Sequence, residues 1–132
     1  MSNFAFYNHN NTNKMNEYKI YGVYEAVDID RLIKEAYDLD YIHIDSFYFK
    51  VNPPYDDNNQ KFNRLLRLAR IIEKYNYAKL DYDAYLKKFT LYDVTNEAIE
   101  FVIEKGGFRR IEEERINKNK RKLIDDIEFD IY

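Results

Sequence analysis

The segment from Phe89 to Phe108 carries the clearest structural pattern in the chain. Aromatic, aliphatic and β-branched residues between 89 and 94 favour a strand, and the hydroxyl of Thr95 can cap a helix that follows. From 96 to 105 the apolar residues recur every three or four positions, and Gly106 can end that helix in the left-handed conformation. The segment therefore predicts a strand, a capped helix and a glycine stop. The residues expected to face the core from the helix are Ile99, Val102 and Ile103.

Length and composition restrict the fold classes that the chain can adopt. With 132 residues and 3 Gly and 2 Pro, the chain suits one α+β domain, mainly helical with a small sheet. It has 14 Tyr and 9 Phe but no Trp, and because tyrosine joins a large apolar ring to a polar tip, many half-buried positions or a contact surface are implied. The absence of Cys excludes disulfides and thiolate chemistry, which fits a cytoplasmic location in the host cell.

The formal net charge of −3 hides a segregation of charges along the chain. Acidic residues dominate from 25 to 45, whereas the middle of the chain is basic. The basic residues there are Arg64, Arg67, Arg70, Lys74, Lys79, Lys87 and Lys88. We expect the two groups either to attract each other within the fold or to face different partners.

The pattern along the chain predicts three parts. Residues 1–17 are rich in Asn and predict a flexible arm, 18–108 a single globular domain, and 109–132 a charged C-terminal helix or tail, with the core closed by Phe108. No apolar segment has the length of a secretory signal or of a membrane span.

Within the domain, periodicity predicts further elements. Alternation over Tyr18–Tyr24 predicts a strand, helical spacing over Ile29–Ala36 a helix, and near alternation over Tyr41–Val51 a strand. Lys61–Tyr75 has the strongest helical pattern, and a second short helix is expected over Tyr82–Phe89.

The end of the domain resembles a known family. The residues that carry the resemblance are Val94-Thr95-Asn96-Glu97-Ala98, then Phe101 and Gly106-Gly107-Phe108. Over residues 60 to 108 the chain resembles winged-helix domains of small uncharacterised bacterial and mobile-element proteins. In those domains the second wing strand enters a threonine-capped helix that ends in a paired glycine and an aromatic residue. The resemblance implies a winged-helix-like fold, with the recognition helix at Tyr82–Lys88.

Catalytic patterns are sparse. Asp40, His43 and Asp45 form the only cluster that could hold a divalent metal, and a lone strand histidine is more often structural. The two serines, Ser2 and Ser46, lie outside any nucleophile or phosphate-loop motif. We therefore expect no enzyme, no catalytic residue, no metal and no cofactor.

Two functions stay open. The favoured one is a non-enzymatic interaction or assembly protein that docks on a protein partner through a tyrosine-rich surface and charged helices, and for which we expect a phage or another mobile element as the source. The alternative is a winged-helix nucleic-acid-binding regulator, disfavoured because a net acidic chain repels DNA. The residues expected to bind the partner or nucleic acid are Arg64, Arg67, Arg70, Lys74, Lys87, Lys88, Arg109, Arg110, Arg115, Lys118, Arg121 and Lys122.

The C-terminal segment also carries a narrow apolar seam of Ile116, Leu123 and Ile127. A seam of this width beside charged positions is typical of helices that dimerise or dock on a partner. The sequence therefore allows a homo-oligomer through the C-terminal helix.

Overall fold

A computed structural model describes residues 19–44 and 58–131, with side chains given from 60 to 123 in the second range. The elements in chain order are α1 (Gly22–Asp38), β1 (Tyr41–His43), α2 (Asn58–Lys74), β2 (Lys79–Asp83), β3 (Lys88–Tyr92), α3 (Asn96–Glu104) and α4 (Gly107–Ile131). The fold is thus α+β and mainly helical, as predicted. None of the helices in these two ranges is long and apolar enough to cross a membrane. The predicted arm, residues 1–17, lies outside the described residues.

The three described strands form one antiparallel sheet in the order β1–β3–β2. Leu91 of the central strand is paired with Ile42 on one side and Leu80 on the other, and this row faces the helices. Because successive side chains on a strand point to opposite faces, the neighbouring residue Thr90 lies on the outer face. The sheet therefore has one apolar face on the core and one polar face in solvent.

The core lies between α1, α2 and the inner face of the sheet. α1 buries apolar residues at helical spacing, among them Ile29, Leu32 and Ile33, and α2 does the same with Leu68 and Ile72. The predicted helices over Ile29–Ala36 and Lys61–Tyr75 are confirmed. Both begin before the predicted start, at Gly22 and at Asn58.

α3 follows the prediction closely. The hydroxyl of Thr95 accepts a hydrogen bond from the backbone N–H of Ala98 at 3.1 Å, and Gly106 has φ +86°. Ile99 is only 8% exposed, but Ile103 is 64% exposed, so its assignment to the core is wrong. The packed face is centred near Ala98 and turned towards Phe101, which places Ile103 at the solvent edge of the helix.

Two element predictions near the N-terminal part of the domain need correction. The predicted strand over Tyr18–Tyr24 is wrong, because residues 19–21 have no regular structure and α1 begins at Gly22. There the Glu25 carboxylate accepts a hydrogen bond from the N–H of Tyr21 at 2.8 Å, a contact that favours a helix start. The predicted strand over Tyr41–Val51 is found at Tyr41–His43, and its part from Asp45 onward lies outside the described residues.

The predicted short helix over Tyr82–Phe89 is also wrong, and so is the recognition helix assigned to Tyr82–Lys88. The segment forms the end of β2, a turn and the start of β3. The Asp83 carboxylate accepts hydrogen bonds from the N–H groups of Tyr85 and Leu86 at 2.9 and 3.0 Å, and Lys87 takes φ +54°. Side-chain capping of this kind favours a turn over a helix.

Candidate macromolecular interaction surface

α1 and α2 are joined by a buried cluster of charges. The Arg64 guanidinium lies 2.9 Å from the Asp28 carboxylate and 3.4 Å from that of Glu25. All three residues are buried, with Arg64 only 7% exposed. The attraction expected between the acidic and basic parts of the chain is confirmed here. Arg64 therefore binds carboxylates inside the fold, and its assignment to a surface for partners is corrected.

Arg67 extends this cluster towards the segment before α1. It pairs with Glu25 and donates a hydrogen bond to the carbonyl of Lys19 at 2.7 Å. Its guanidinium also lies 5.3 Å from the ring centre of Tyr21, within cation–π range. Since these contacts are all within the chain, Arg67 holds residues 19–21 against α2 and leaves little of its charge for a partner.

The exposed face of α2 is polar. Gln60, Asn63, Arg70 and Lys74 are exposed and lie within an arc of about 80° at 100° per residue. Of the predicted basic stripe on this helix, Arg70 and Lys74 stay on the surface. Asn63 and Gln60 were not predicted as site residues, although the same helical spacing placed them on this face.

The β2–β3 hairpin exposes aromatic and basic residues beside α2. At its tip Tyr85 is 94% exposed, and Leu86, Lys87 and Lys88 are also exposed. The ring of Phe89 lies 6.1 Å from that of Phe62 in α2, which places the tip near the first half of the helix. Lys87 and Lys88 are therefore on the surface, as the sequence predicted.

The acidic residues of the hairpin are held by local contacts. Asp83 caps the turn, the carboxylate of Asp81 accepts a hydrogen bond from the Tyr92 hydroxyl, and Asp93 lies 3.4 Å from Lys79. Bonding to Asp81 raises the pKa of Tyr92, so this hydroxyl keeps its proton well above neutral pH. Lys87 and Lys88 at the tip therefore share it with the turn-capping carboxylate of Asp83, whereas Asp81 and Asp93 lie away from the tip.

α4 uses its first basic residues in pairs along its own length. Arg109 pairs with Glu113 at 2.9 Å, Arg110 with Glu114 at 3.0 Å, and Arg115 with Glu112. Hydrogen bonding to Arg115 lowers the pKa of Glu112. These three arginines were predicted as contact residues, and each already has a carboxylate neighbour. The predicted residues farther along are exposed: Lys118, Arg121 and Lys122.

α1 and α4 cap each other, an arrangement that the sequence pattern did not reveal. The carboxylate of Asp30 in α1 accepts hydrogen bonds from the backbone N–H groups of Phe108 and Arg109, at 2.9 and 3.1 Å. The backbone N–H of Gly22, at the start of α1, donates to the buried carboxylate of Glu112 in α4. Each helix thus satisfies N-terminal donors of the other, and the two run antiparallel.

Within the described residues no group of three or more His, Cys, Asp or Glu residues could hold a metal ion. His43 bonds to Thr90 through Nδ1 at 3.0 Å, and Asp45 lies outside the described ranges. An open depression of about 540 Å³ between α1 and the segment after β3 is lined by Tyr37, Asp40 and Asp93, with Ala36 and Val94. These groups supply no nucleophile with a neighbouring base.

Comparisons with protein-family models, with curated proteins and with solved structures give no match.

Proposed function

We propose that the protein binds duplex nucleic acid through α2 and the β2–β3 hairpin. The observation that carries the proposal is the exposed face of α2, where Gln60, Asn63 and Arg70 share one stripe. Amide and guanidinium groups are the side chains that most often contact base edges and phosphates. α2 has 17 residues, which gives a helix of about 25 Å, and the DNA major groove admits an α-helix.

The order of the elements supports this proposal. A strand that enters a threonine-capped helix is the part of the winged-helix resemblance that the proposal uses. The resemblance placed the recognition helix at Tyr82–Lys88, but the helix directly before the hairpin is α2, and a third strand pairs with β3. In this arrangement α2 takes the place of the recognition helix and the hairpin takes that of the wing. Lys87 and Lys88 at the tip would then contact phosphates.

The charge distribution removes part of the objection to nucleic acid. The net charge of −3 opposes binding at long range. However, Glu25 and Asp28 are buried against Arg64, and Asp30 binds the start of α4. Much of the acidic charge of α1 is therefore paired inside the fold and does not lie on the face of α2.

Fluorescence anisotropy with a labelled random DNA duplex tests the proposal. We expect binding that weakens steeply with salt, with a log–log slope of about −0.9 for each phosphate contacted. The double variant Arg70→Glu with Lys88→Glu should bind at least about ten times more weakly and show a shallower slope. The matched control, Lys34→Glu with Lys105→Glu, makes the same change in charge on other exposed positions and should bind like the parent. Absence of binding at low salt would refute the proposal.

Docking on a protein is the second candidate, and the hairpin tip favours it. Tyr82, Tyr85 and Leu86 are all at least half exposed, and tyrosine and leucine at a surface suit a protein contact. If the DNA experiment is negative, a pull-down from the source cell with the parent and with Tyr85→Ser tests this function. A partner captured by the parent and lost by Tyr85→Ser supports docking through the tip.

A further inference from the structure

The tip of the β2–β3 hairpin exposes two large side chains that are next to each other in the chain. Tyr85 is 94% exposed and Leu86 is 50% exposed. One carboxylate oxygen of Asp83 accepts hydrogen bonds from the backbone N–H groups of both residues, at 2.9 and 3.0 Å, and these bonds stabilise the turn. The fold therefore presents an aromatic and an aliphatic side chain to solvent, on a turn held by its own hydrogen bonds.

The hairpin packs on the flank of α2. The rings of Tyr82 and Phe89 lie 4.9 Å apart, and the ring of Phe89 lies 6.1 Å from that of Phe62 in α2. Phe62 and Asn63 are consecutive residues, so their side chains point about 100° apart around the helix axis. Because Asn63 belongs to the exposed face of α2, the hairpin lies beside that face and leaves it open. The turn projects beyond the packed rings.

Two lysines lie between the packed rings and the tip. Outward along the chain from Phe89, Lys88 and Lys87 come first, and Leu86 and Tyr85 follow. Both lysines are exposed. Four consecutive residues thus combine two cations with an aromatic and an aliphatic side chain. A nucleic-acid strand presents the complementary groups, because its phosphates are anionic and its bases stack on aromatic side chains.

We propose that Tyr85 and Leu86 insert between base pairs of the bound duplex and bend it. The inference rests on the proposed function, in which the exposed face of α2 lies in the major groove. Lys87 and Lys88 then contact the phosphate strand at the edge of that groove, and the tip beyond them enters the minor groove on the other side of this strand. Apolar side chains that enter the minor groove unstack a base step and kink the duplex by about 20 to 90°.

Energy transfer between dyes at the two ends of a duplex of about 20 base pairs tests the inference, because a kink brings the ends closer. At saturating protein we expect the parent to raise the transfer. The variant Tyr85→Ser with Leu86→Ser should bind within about ten times of the parent affinity, since α2 and the lysines remain. Its complex should show the transfer of the free duplex. A serine variant that raises the transfer as the parent does would overturn the inference.

Two further variants show whether bending depends on apolar side chains at the tip. Tyr85→Phe with Leu86→Met keeps such side chains there and should raise the transfer like the parent. Tyr37→Ser with Leu39→Ser is the matched control, because it removes the same two residue types at positions near the end of α1 that are 43% and 61% exposed. This control should also raise the transfer like the parent. Loss of bending in either variant would contradict insertion by the tip.

A mismatched base pair gives a second measurement. Unstacking costs least at a mismatch, so the parent should bind a duplex with one central mismatch at least about three times more tightly than the fully paired duplex. The serine variant of the tip should bind both duplexes equally. Equal affinity of the parent for the two duplexes would overturn insertion.

The outcomes separate this inference from the proposed function. If the parent binds the duplex without a change in energy transfer, bending is refuted and the proposed function stands. If the parent does not bind the duplex at low salt, both are refuted. In either case a protein partner becomes the better candidate for the exposed tip.

Discussion

The carboxylate of Asp30 occupies the space that a side chain at Gly107 would need. A Cβ built on Gly107 would lie 2.5 Å from both carboxylate oxygens, and the residue has φ +67°. We expect Gly107→Ala to lower the free energy of unfolding by about 2 to 4 kcal/mol, because steric overlap and backbone strain add. Gly22→Ala is the control. Its φ is +87° but nothing lies within 4 Å of the added Cβ, so about 1 kcal/mol is expected. Urea unfolding measures both, and equal losses would show that overlap with Asp30 contributes nothing.

The pH dependence of stability should report on Asp30. Burial raises the pKa of Asp30 to about 6, against the lowering effect of the Phe108 and Arg109 N–H groups and of the Arg109 charge. The folded state therefore holds this proton more tightly than the unfolded chain. The stability that this difference contributes is fully present below about pH 4 and is lost as the pH rises through about 6. We expect a loss of about 1 to 3 kcal/mol over this window, reduced by partial solvation.

Asp30→Asn isolates this effect from the other titrating groups. The amide keeps an acceptor for the Phe108 N–H but does not ionise, so the pH-dependent loss between about pH 4 and 6 should disappear. Glu112, whose pKa is lowered, changes stability in the opposite direction and is present in both proteins. If the free energy of unfolding changed with pH in the same way for the parent and for Asp30→Asn, Asp30 would not be the source of the pH dependence.

Local sequence patterns correctly predicted the elements whose ends are set by residues a few positions away in the chain. The Thr95 cap and the Gly106 stop are examples, because a hydroxyl before a helical repeat and a glycine after it act on their own backbone. The hairpin at Asp83 was missed since the spacing of Tyr82 and Tyr85 suits a helix, whereas the turn depends on one carboxylate bonding to two N–H groups.

The candidate surface was predicted only in part for a similar reason. Arg64, Arg67 and Arg70 have the same residue type and similar spacing on α2. Which of them stays exposed depends on where α1 places Glu25 and Asp28, and this contact joins positions about 40 residues apart in sequence. Spacing along one helix carries no information on such a neighbour.

The buried ion cluster yields a prediction on stability. Arg64→Met should cost about 3 to 5 kcal/mol, because it leaves the buried carboxylate of Asp28 without its guanidinium. The double variant Arg64→Met with Asp28→Leu should recover much of the loss, since both charges are gone. Arg70→Met, at an exposed position of the same helix, should stay within about 0.5 kcal/mol. Chemical denaturation checks all three, and a double variant as unstable as Arg64→Met would show that charge burial is not the cause.

The packing of α3 predicts different costs for two isoleucines. Ile99→Ala should lose about 2 to 5 kcal/mol, because this side chain is only 8% exposed. Ile103→Ala removes the same atoms at a position that is 64% exposed, and we expect a change within about 0.5 kcal/mol. Thermal or urea unfolding distinguishes them. A similar loss at both positions would mean that Ile103 packs in solution.

Truncation should show where the folded unit ends. The sequence predicts that the core closes by Phe108, but Arg109 donates its N–H to Asp30, and the buried carboxylate of Glu112 binds the start of α1. A chain that ends at Phe108 should therefore lose helix content and cooperative unfolding, because the N–H of Gly22 at the start of α1 loses its acceptor and Asp30 loses the N–H of Arg109. A chain that ends at Lys118 keeps these contacts and should unfold like the parent. Circular dichroism and thermal unfolding compare the three chains. If the shorter chain is as stable as the longer one, the mutual capping of α1 and α4 contributes nothing to the fold.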